Sequence, residues 1–276
     1  MTPLPSGKLL APVPPAAEGS EHWFTAFRAI DDVRVLHVDL STGDGREQRA
    51  LQWLDSTEQR RRERFVYESP RHRFTLCRAA LRSALCQELG CRNEHLAFRT
   101  SQHGKPYAIV RRRRAPISFN VSHSGAHGLI ALAPGRQVGI DVEERLPHRN
   151  LDELIDAVFG PNEKHELSAA NDRYAGDASA GALPANEKHE LSAANDRDRL
   201  HLFFRLWTMK EALSKADGMG LSSDVSRFEI PQEVRSGATS GSVRLAGKPG
   251  IGWRLEDIST DRFAAAVAYE DGRRWP

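Results

Sequence analysis

The chain has 276 residues, 39% of them apolar and 28% charged, with a formal net charge of +2 at neutral pH. That is ordinary globular composition, and the length suffices for one large core or two modest ones. The near-balanced charge excludes a whole-molecule field for nucleic acid or membrane, and no apolar run approaches the roughly 20 residues of a membrane helix.

Residues 1–20 are rich in Pro, Ala and Gly and lack the apolar core of a signal peptide, so a flexible lead-in is expected there. "VRVLHVDL" (33–40) alternates as a strand does. "STEQRRRERF" follows, with Ser56 or Thr57 as a helix cap and a basic run from Arg60 to Arg64. In "PRHRFTLCRAALRSALCQELG", Phe74, Cys77, Leu81, Leu85 and Leu89 recur at helical spacing and Gly90 marks the stop. Arg71, Arg73, Arg78 and Arg82 are expected on its polar side. Cys77, Cys86 and Cys91 are odd in number and lack CxxC spacing, which argues for a reducing, cytoplasmic setting without a disulfide framework.

"LAFRT", the turn-like "HGKPY", "ISFNVS" (117–122) and "GLIALA" (128–133) continue the first half. The turn "APGRQ" (133–137) divides the chain into residues 21–134 and 135–276. "VGIDVEE" opens the second half as a strand: Val138, Ile140 and Val142 face one way, and Gly139, Asp141 and Glu143 the other. Two carboxylates roughly 7 Å apart along a strand repel unless water or a cation separates them. On spacing alone, a half-buried strand with a solvated outer face is the ordinary reading.

"LDELIDAVF" reads as helix, and "RLHLFFRLWTMKEALSKADG" as a second strong helix. Phe203, Leu206, Met209, Leu213 and Ala216 supply its packing, while Trp207, Glu211 and Lys215 share another face. "SRFEI", "GSVRLAG", "GWRLEDI" and "RFAAAVAYE" read as short strands. "NEKHELSAANDR" occurs twice, at 162–173 and 186–197; two copies suit a local duplication better than a solenoid. The expected fold is α/β or α+β: two similar, pseudo-twofold-related halves, each a small, mostly antiparallel sheet packed with helices.

Asp141, Glu143 and Glu211 could form an all-oxygen site of the kind Mg²⁺ prefers, with Mn²⁺ as the alternative. Lys105, His123 and Lys215 are donors suited to phosphate, and Ser122 and Ser124 flank His123. Single pieces have plainer explanations. Glu211 and Lys215 could be a surface helical pair, "RRRR" (111–114) a solvated loop, Trp207 a core anchor, and His127 and His148 surface residues. His165 and His189 lack the spacing of a zinc motif.

The blocks "GKPY" (104–107), "FNVSHSG" (119–125), "VGIDVEE" (138–144) and "FFRLWTMKEALSKADGMGL" (203–221), in this order, resemble the signature blocks of the Sfp-type 4′-phosphopantetheinyl transferases. The resemblance implies transfer of the phosphopantetheine arm of coenzyme A to a serine of an apo acyl or peptidyl carrier protein, releasing adenosine 3′,5′-bisphosphate. It implies that Asp141, Glu143 and Glu211 hold Mg²⁺ and that Lys215 stabilises the leaving phosphate. Arg61, Arg64, Arg73, Lys105, Asn120, Ser122 and His123 would contact coenzyme A. A Phe-x-Pro-x-Glu pattern at Phe159, Pro161 and Glu163 implies Glu163 as the base, or its repeat copy Glu187. The protein is expected to be a cytoplasmic monomer that binds neither nucleic acid nor membrane. Two rivals stay open: another Mg²⁺-dependent phosphoester enzyme, and a coenzyme A-binding module impaired by the duplication.

Overall fold

A computed structural model describes residues 22–41, 45–147, 150–171, 185–218, 228–245 and 250–272, with the side chains of all these except 171 and 185–195. The expected lead-in, His148 and much of the duplicated stretch, including the Glu187 side chain, lie outside the described residues. Among those described, seven helices and three antiparallel sheets make an α+β protein, as expected. Among the described residues, no helix is long and apolar enough to cross a membrane.

The first sheet has the order β1-β2-β7-β6, from β1 (Thr25–Ile30), β2 (Val33–Asp39), β6 (Ile117–Ser124) and β7 (His127–Pro134). The second runs β8-β11-β10-β9, from β8 (Val138–Glu143), β9 (Ser240–Arg244), β10 (Gly252–Asp257) and β11 (Ala264–Asp271). A small third sheet joins β3 (Leu96–Thr100), β4 (Pro106–Val110) and β5 (Arg113–Arg114). Two short helices, α1 (Arg46–Leu51) and α2 (Ser56–Glu63), precede the long α3 (Glu68–Leu89). After β8 come α4 (Leu151–Val158), α5 (Pro161–Asn171), the long α6 (Ala185–Asp217) and short α7 (Gln232–Arg235).

The apolar residues sort into three cores that stack these layers. Leu76, Ala80, Leu81 and Leu85 of α3 pack with Leu36, Phe119, Ile130 and Leu132 of the first sheet. Phe203, Leu206, Met209 and Leu213 of α6 pack with Leu255, Ala264, Ala266 and Ala268 of the second, together with Ile155 of α4, Leu167 of α5 and Phe159 between them. Between the sheets, Val33, Val35, Leu129 and Ala131 meet Val138, Ile140, Val142 and Val267. The order is therefore helix, sheet, sheet, helix, with a long helix on each outer face.

Several local expectations change. The cap of α2 is Asp55, which accepts from the backbone N–H groups of Thr57 and Glu58, rather than Ser56 or Thr57. Arg82 is not on a polar helix face: it is 1% exposed and bonds Glu58 at 2.6 Å and Asp55 at 2.5 Å. A buried guanidinium persists because every face finds an acceptor, including Asn93 and the Leu96 carbonyl. His127 is buried and shares a 3.0 Å hydrogen bond with His37, both rings lying against Phe263. Among the described residues, three strands follow α6, and Phe228–Ile230, the described part of "SRFEI", runs as coil into α7.

Candidate active site

The site is built where β6 and β8, edge strands of different sheets, meet through side chains. Three alternate residues of β6 reach across: Asn120 Oδ1 accepts from the Ile140 N–H (3.0 Å), Ser122 Oγ donates to Asp141 Oδ1 (2.8 Å), and Ser124 Oγ donates to Glu143 Oε2 (2.7 Å). The two-residue strand period makes this ladder, because positions 120, 122 and 124 share one face. Ser124 and Glu144 extend it: the Glu144 N–H donates to Ser124 Oγ, and Glu144 Oε1 accepts from the Ala126 N–H.

The other face of β8 is not solvated. All its residues but Glu143 are buried, with Asp141 2% exposed. Gly139 lets α6 lie directly on this face, since a Cβ there would stand 2.1 Å from the Ala212 carbonyl oxygen. The close approach brings Lys215 Nζ to 2.6 Å from Asp141 Oδ1 and 3.1 Å from Ser122 Oγ. Glu211, one turn earlier on α6, is half-buried beside them.

The electrostatics record a surplus of negative charge. Burial raises the carboxyl of Glu143, with Asp141 and Glu211 adding to it while Ser124 and Lys215 oppose it. Burial likewise raises Glu211, with Asp141 adding and Lys215 opposing. Asp141 Oδ2 is buried with no hydrogen-bond partner among the described residues. An orphaned carboxylate oxygen between two acids reluctant to ionise is a donor set that suits a hard cation. As placed, however, no three acidic, His or Cys side chains among the described residues converge at metal-binding spacing. Lys215 provides the countercharge on Asp141.

The basic residues lie on the first half. Arg61, Phe74, Cys77, Arg78, Leu81, Val121 and His123 line a cavity of about 170 Å³. Arg61 also borders a hollow of about 560 Å³ with Thr57, Arg60, Arg64 and Phe65, so a cationic path runs from His123 to α2. Desolvation lowers the His123 imidazole, helped by the Arg73 and Lys215 cations. Arg73 also bonds Ser69 Oγ (2.7 Å). Arg78, read from sequence only as a polar helix position, lines the same cavity over Phe74 and Phe98. Its basic context, four residues from the helical Phe74, was the available signal.

Two expected residues stand elsewhere. Lys105 does not extend from its turn toward the path: its Nζ donates to the carbonyls of Val138 (3.0 Å) and Ala216 (2.7 Å), tying β8 to the end of α6. Burial pushes its ammonium down to about 8. Glu163 is fully enclosed. Its oxygens accept from the N–H groups of Gly160 (2.9 Å) and Ile230 (2.8 Å) and from Lys210 Nζ (2.9 Å), itself fully buried. Pro161 opens α5, so Glu163 sits at the third helical position and reaches back to the preceding N–H, half of a capping box. A carboxylate so occupied cannot take a proton from a substrate. As placed, Glu163 stands as a buried counterion of Lys210, away from the Asp141–Lys215 cluster's polar ladder.

A family model described as "4′-phosphopantetheinyl transferase, N-terminal" matches residues 45–135. A second, "4′-phosphopantetheinyl transferase superfamily", matches residues 177–268. The 4′-phosphopantetheinyl transferase HetI of Nostoc sp. is 32% identical over 241 residues, 86% of this chain and 87% of its own. The chain belongs to the 4′-phosphopantetheinyl transferase superfamily. A Synechocystis sp. relative is 34% identical over 223 residues, 78% of this chain and 79% of its own. The 4′-phosphopantetheinyl transferase of Bacillus subtilis is 23% identical over 195 residues, 71% and 74% of the two chains. The superfamily model spans the second copy of the repeat and leaves the first outside.

Proposed function

We propose that this chain transfers the 4′-phosphopantetheine arm of coenzyme A to a serine hydroxyl of an apo acyl or peptidyl carrier protein. The observation that carries the reading is the Asp141–Lys215–Ser122 cluster, flanked by Glu143 and Glu211 and adjoining the Arg61–His123 cavity. A diphosphate diester needs such a pairing: cations for its charge and a polar cluster at the phosphorus under attack.

The seryl oxygen attacks the phosphorus bearing the pantetheine arm. The bond to the bridging oxygen breaks, and adenosine 3′,5′-bisphosphate leaves. Arg61, Arg64 and Arg73, with His123, hold the nucleotide phosphates, and Asn120 and Ser122 fix the strand edge beneath. Lys215 neutralises charge developing on the leaving phosphate. With Glu163 enclosed, the seryl proton passes to water or to the repeat copy Glu187, the alternative base that the resemblance implies. Asp141, Glu143 and Glu211 would hold Mg²⁺, or Mn²⁺, after modest side-chain movement. Bound there, the ion would supply Lewis-acid neutralisation of the diphosphate. Lys105 orders the cleft from behind, and any phosphate contact would use its remaining proton.

The proposed division at 134–135, a monomeric state and a cytoplasmic location complete the reading. Incubation with coenzyme A, Mg²⁺ and several apo carrier proteins tests the activity by intact mass. A phosphopantetheine adduct on a carrier serine is expected. Free phosphopantetheine without adduct would favour a hydrolase and overturn the transfer.

A further inference from the structure

Cys77 is buried within the first core, but Cys86 and Cys91 are half-buried, and the proposed transfer uses neither. They stand at the end of α3. Gly90 adopts φ 57°, in the left-handed region, and its N–H turns back to the Cys86 carbonyl. The Cys91 N–H returns to the same carbonyl at 3.1 Å. This is the six-to-one bond of a Schellman helix end, which sets the two residues it joins side by side. Here both are cysteines, and the Cys91 thiol is near enough to Cys86 to influence its ionisation. Arg82, one turn earlier, donates to Asn93 Oδ1 (2.8 Å) and the Leu96 carbonyl (3.2 Å), so the chain beyond Cys91 is held against the helix.

We infer that Cys86 and Cys91 form a redox-active dithiol that a hydroperoxide closes to an intramolecular disulfide. The Cys91 sulfur attacks the terminal oxygen of the hydroperoxide. The O–O bond breaks, an alcohol (water, from hydrogen peroxide) leaves with one proton, and Cys91 becomes a sulfenic acid. The Cys86 sulfur then displaces the sulfenic hydroxyl, which departs as water with the second thiol proton as the S–S bond forms. The two thiols together lose two electrons, and the peroxide gains them. Burial and the neighbouring Cys91 push the Cys86 thiol up to about 12. Disulfides demand paired Cα positions and convergent Cβ vectors. The helix end brings the two backbones together through bonds that do not depend on the thiols.

The test uses the full chain treated with hydrogen peroxide, then denatured in N-ethylmaleimide and digested with trypsin. Residues 83–92 form one tryptic peptide that carries both thiols, and Cys77 falls in peptide 74–78 as an internal control. Peptide 83–92 is expected to weigh two hydrogens less and to take no maleimide, while Cys77 takes one. Dithiothreitol should restore two maleimides, and Cys91→Ser should leave Cys86 fully alkylated. Closure should slow about tenfold or more in the guanidinium-unfolded chain, where the helix end no longer positions the pair. Oxygen retained on either sulfur, a cross-link between chains, or equal rates folded and unfolded would overturn the inference. So would two alkylatable thiols under peroxide that oxidises glutathione.

Discussion

Gly139 of β8 and Ala212 of α6 are in backbone contact: a Cβ on the glycine would stand 2.1 Å from the Ala212 carbonyl oxygen and 2.3 Å from the Ala216 nitrogen. Neither neighbour is a movable side-chain end, so Gly139→Ala must push the helix off the strand. Overpacking of this kind costs about 1–3 kcal/mol, and backbone should place it at the upper end. Because α6 carries Glu211 and Lys215, transfer should fall further than stability. Urea titration and steady-state kinetics on the remaining folded protein check this; equal kcat in the variant would break the link between the glycine and the site.

The Glu163–Lys210 pair gives the second expectation. Both side chains are fully buried and bonded to each other at 2.9 Å. Glu163→Gln breaks this buried ion pair, and removing one partner of such a pair typically costs about 3–5 kcal/mol. The folded fraction should retain its kcat, since Glu163 touches no substrate. A loss of kcat by orders of magnitude, with the denaturation midpoint unmoved, would restore Glu163 as the base.

Much of this was legible in the sequence, and the failures have physical causes. The α3 periodicity and Gly90 stop read correctly because an amphipathic helix on one sheet writes its contacts at three- and four-residue steps. Strand β8 misled because alternation reports two chemically different faces, not which of them meets water. Only Gly139, a glycine in a strand interior, signalled the helix pressed against it. Arg82 misled for a related reason: a charge buried with its partners looks like a surface charge until those partners, distant in sequence, are seen. Lys105 was assigned by its motif, and its two carbonyl acceptors have no sequence signature.

Lys105 makes a prediction about pH. Its ammonium loses a proton near pH 8 in the folded protein and near 10.5 when unfolded. Between these values the unfolded chain binds more protons, so this group's contribution to stability rises with pH. Below about pH 8 both states hold the proton and its contribution is level. A neutral amine still has two N–H groups for Val138 and Ala216. The difference in unfolding free energy, wild type minus Lys105→Met, should therefore increase from pH 8 to 10.5. A difference that falls across this window would mean that the carbonyls hold the charged form.

Asp141 and Lys215 should behave as a unit in catalysis. Asp141→Asn keeps the shape but halves the surplus acid around Lys215 and removes the anionic oxygen best placed for a cation. Transfer should drop by about 10²–10³-fold, as for loss of one positioned charged group. Stability should change little or rise, since burial already opposes the charge on the neighbouring Glu143 and Glu211. Mg²⁺ titration should show a higher requirement in Asp141→Asn than in the wild type. An unchanged Mg²⁺ dependence would remove Asp141 from the metal set while leaving its contact with Lys215 intact.

The duplication supplies the last expectation. Deleting residues 162–185 joins Pro161 directly to Asn186, so that Glu187 follows the proline at the distance Glu163 does now, within an identical twelve-residue sequence. The carboxylate that faces Lys210, and caps the helix opened by Pro161, would then come from Glu187. Leu191 and Ala194 would likewise take the places of Leu167 and Ala170, both buried. The shortened chain should fold and transfer at a rate close to the full chain's. The two copies make the claim sharp. In the full chain Glu163→Gln should cost about 3–5 kcal/mol while Glu187→Gln costs little, and in the deletion Glu187→Gln should acquire the large cost. Denaturant midpoints of the four proteins decide it, and a large cost for Glu187→Gln in the full chain would mean that the second copy already holds a buried partner of its own.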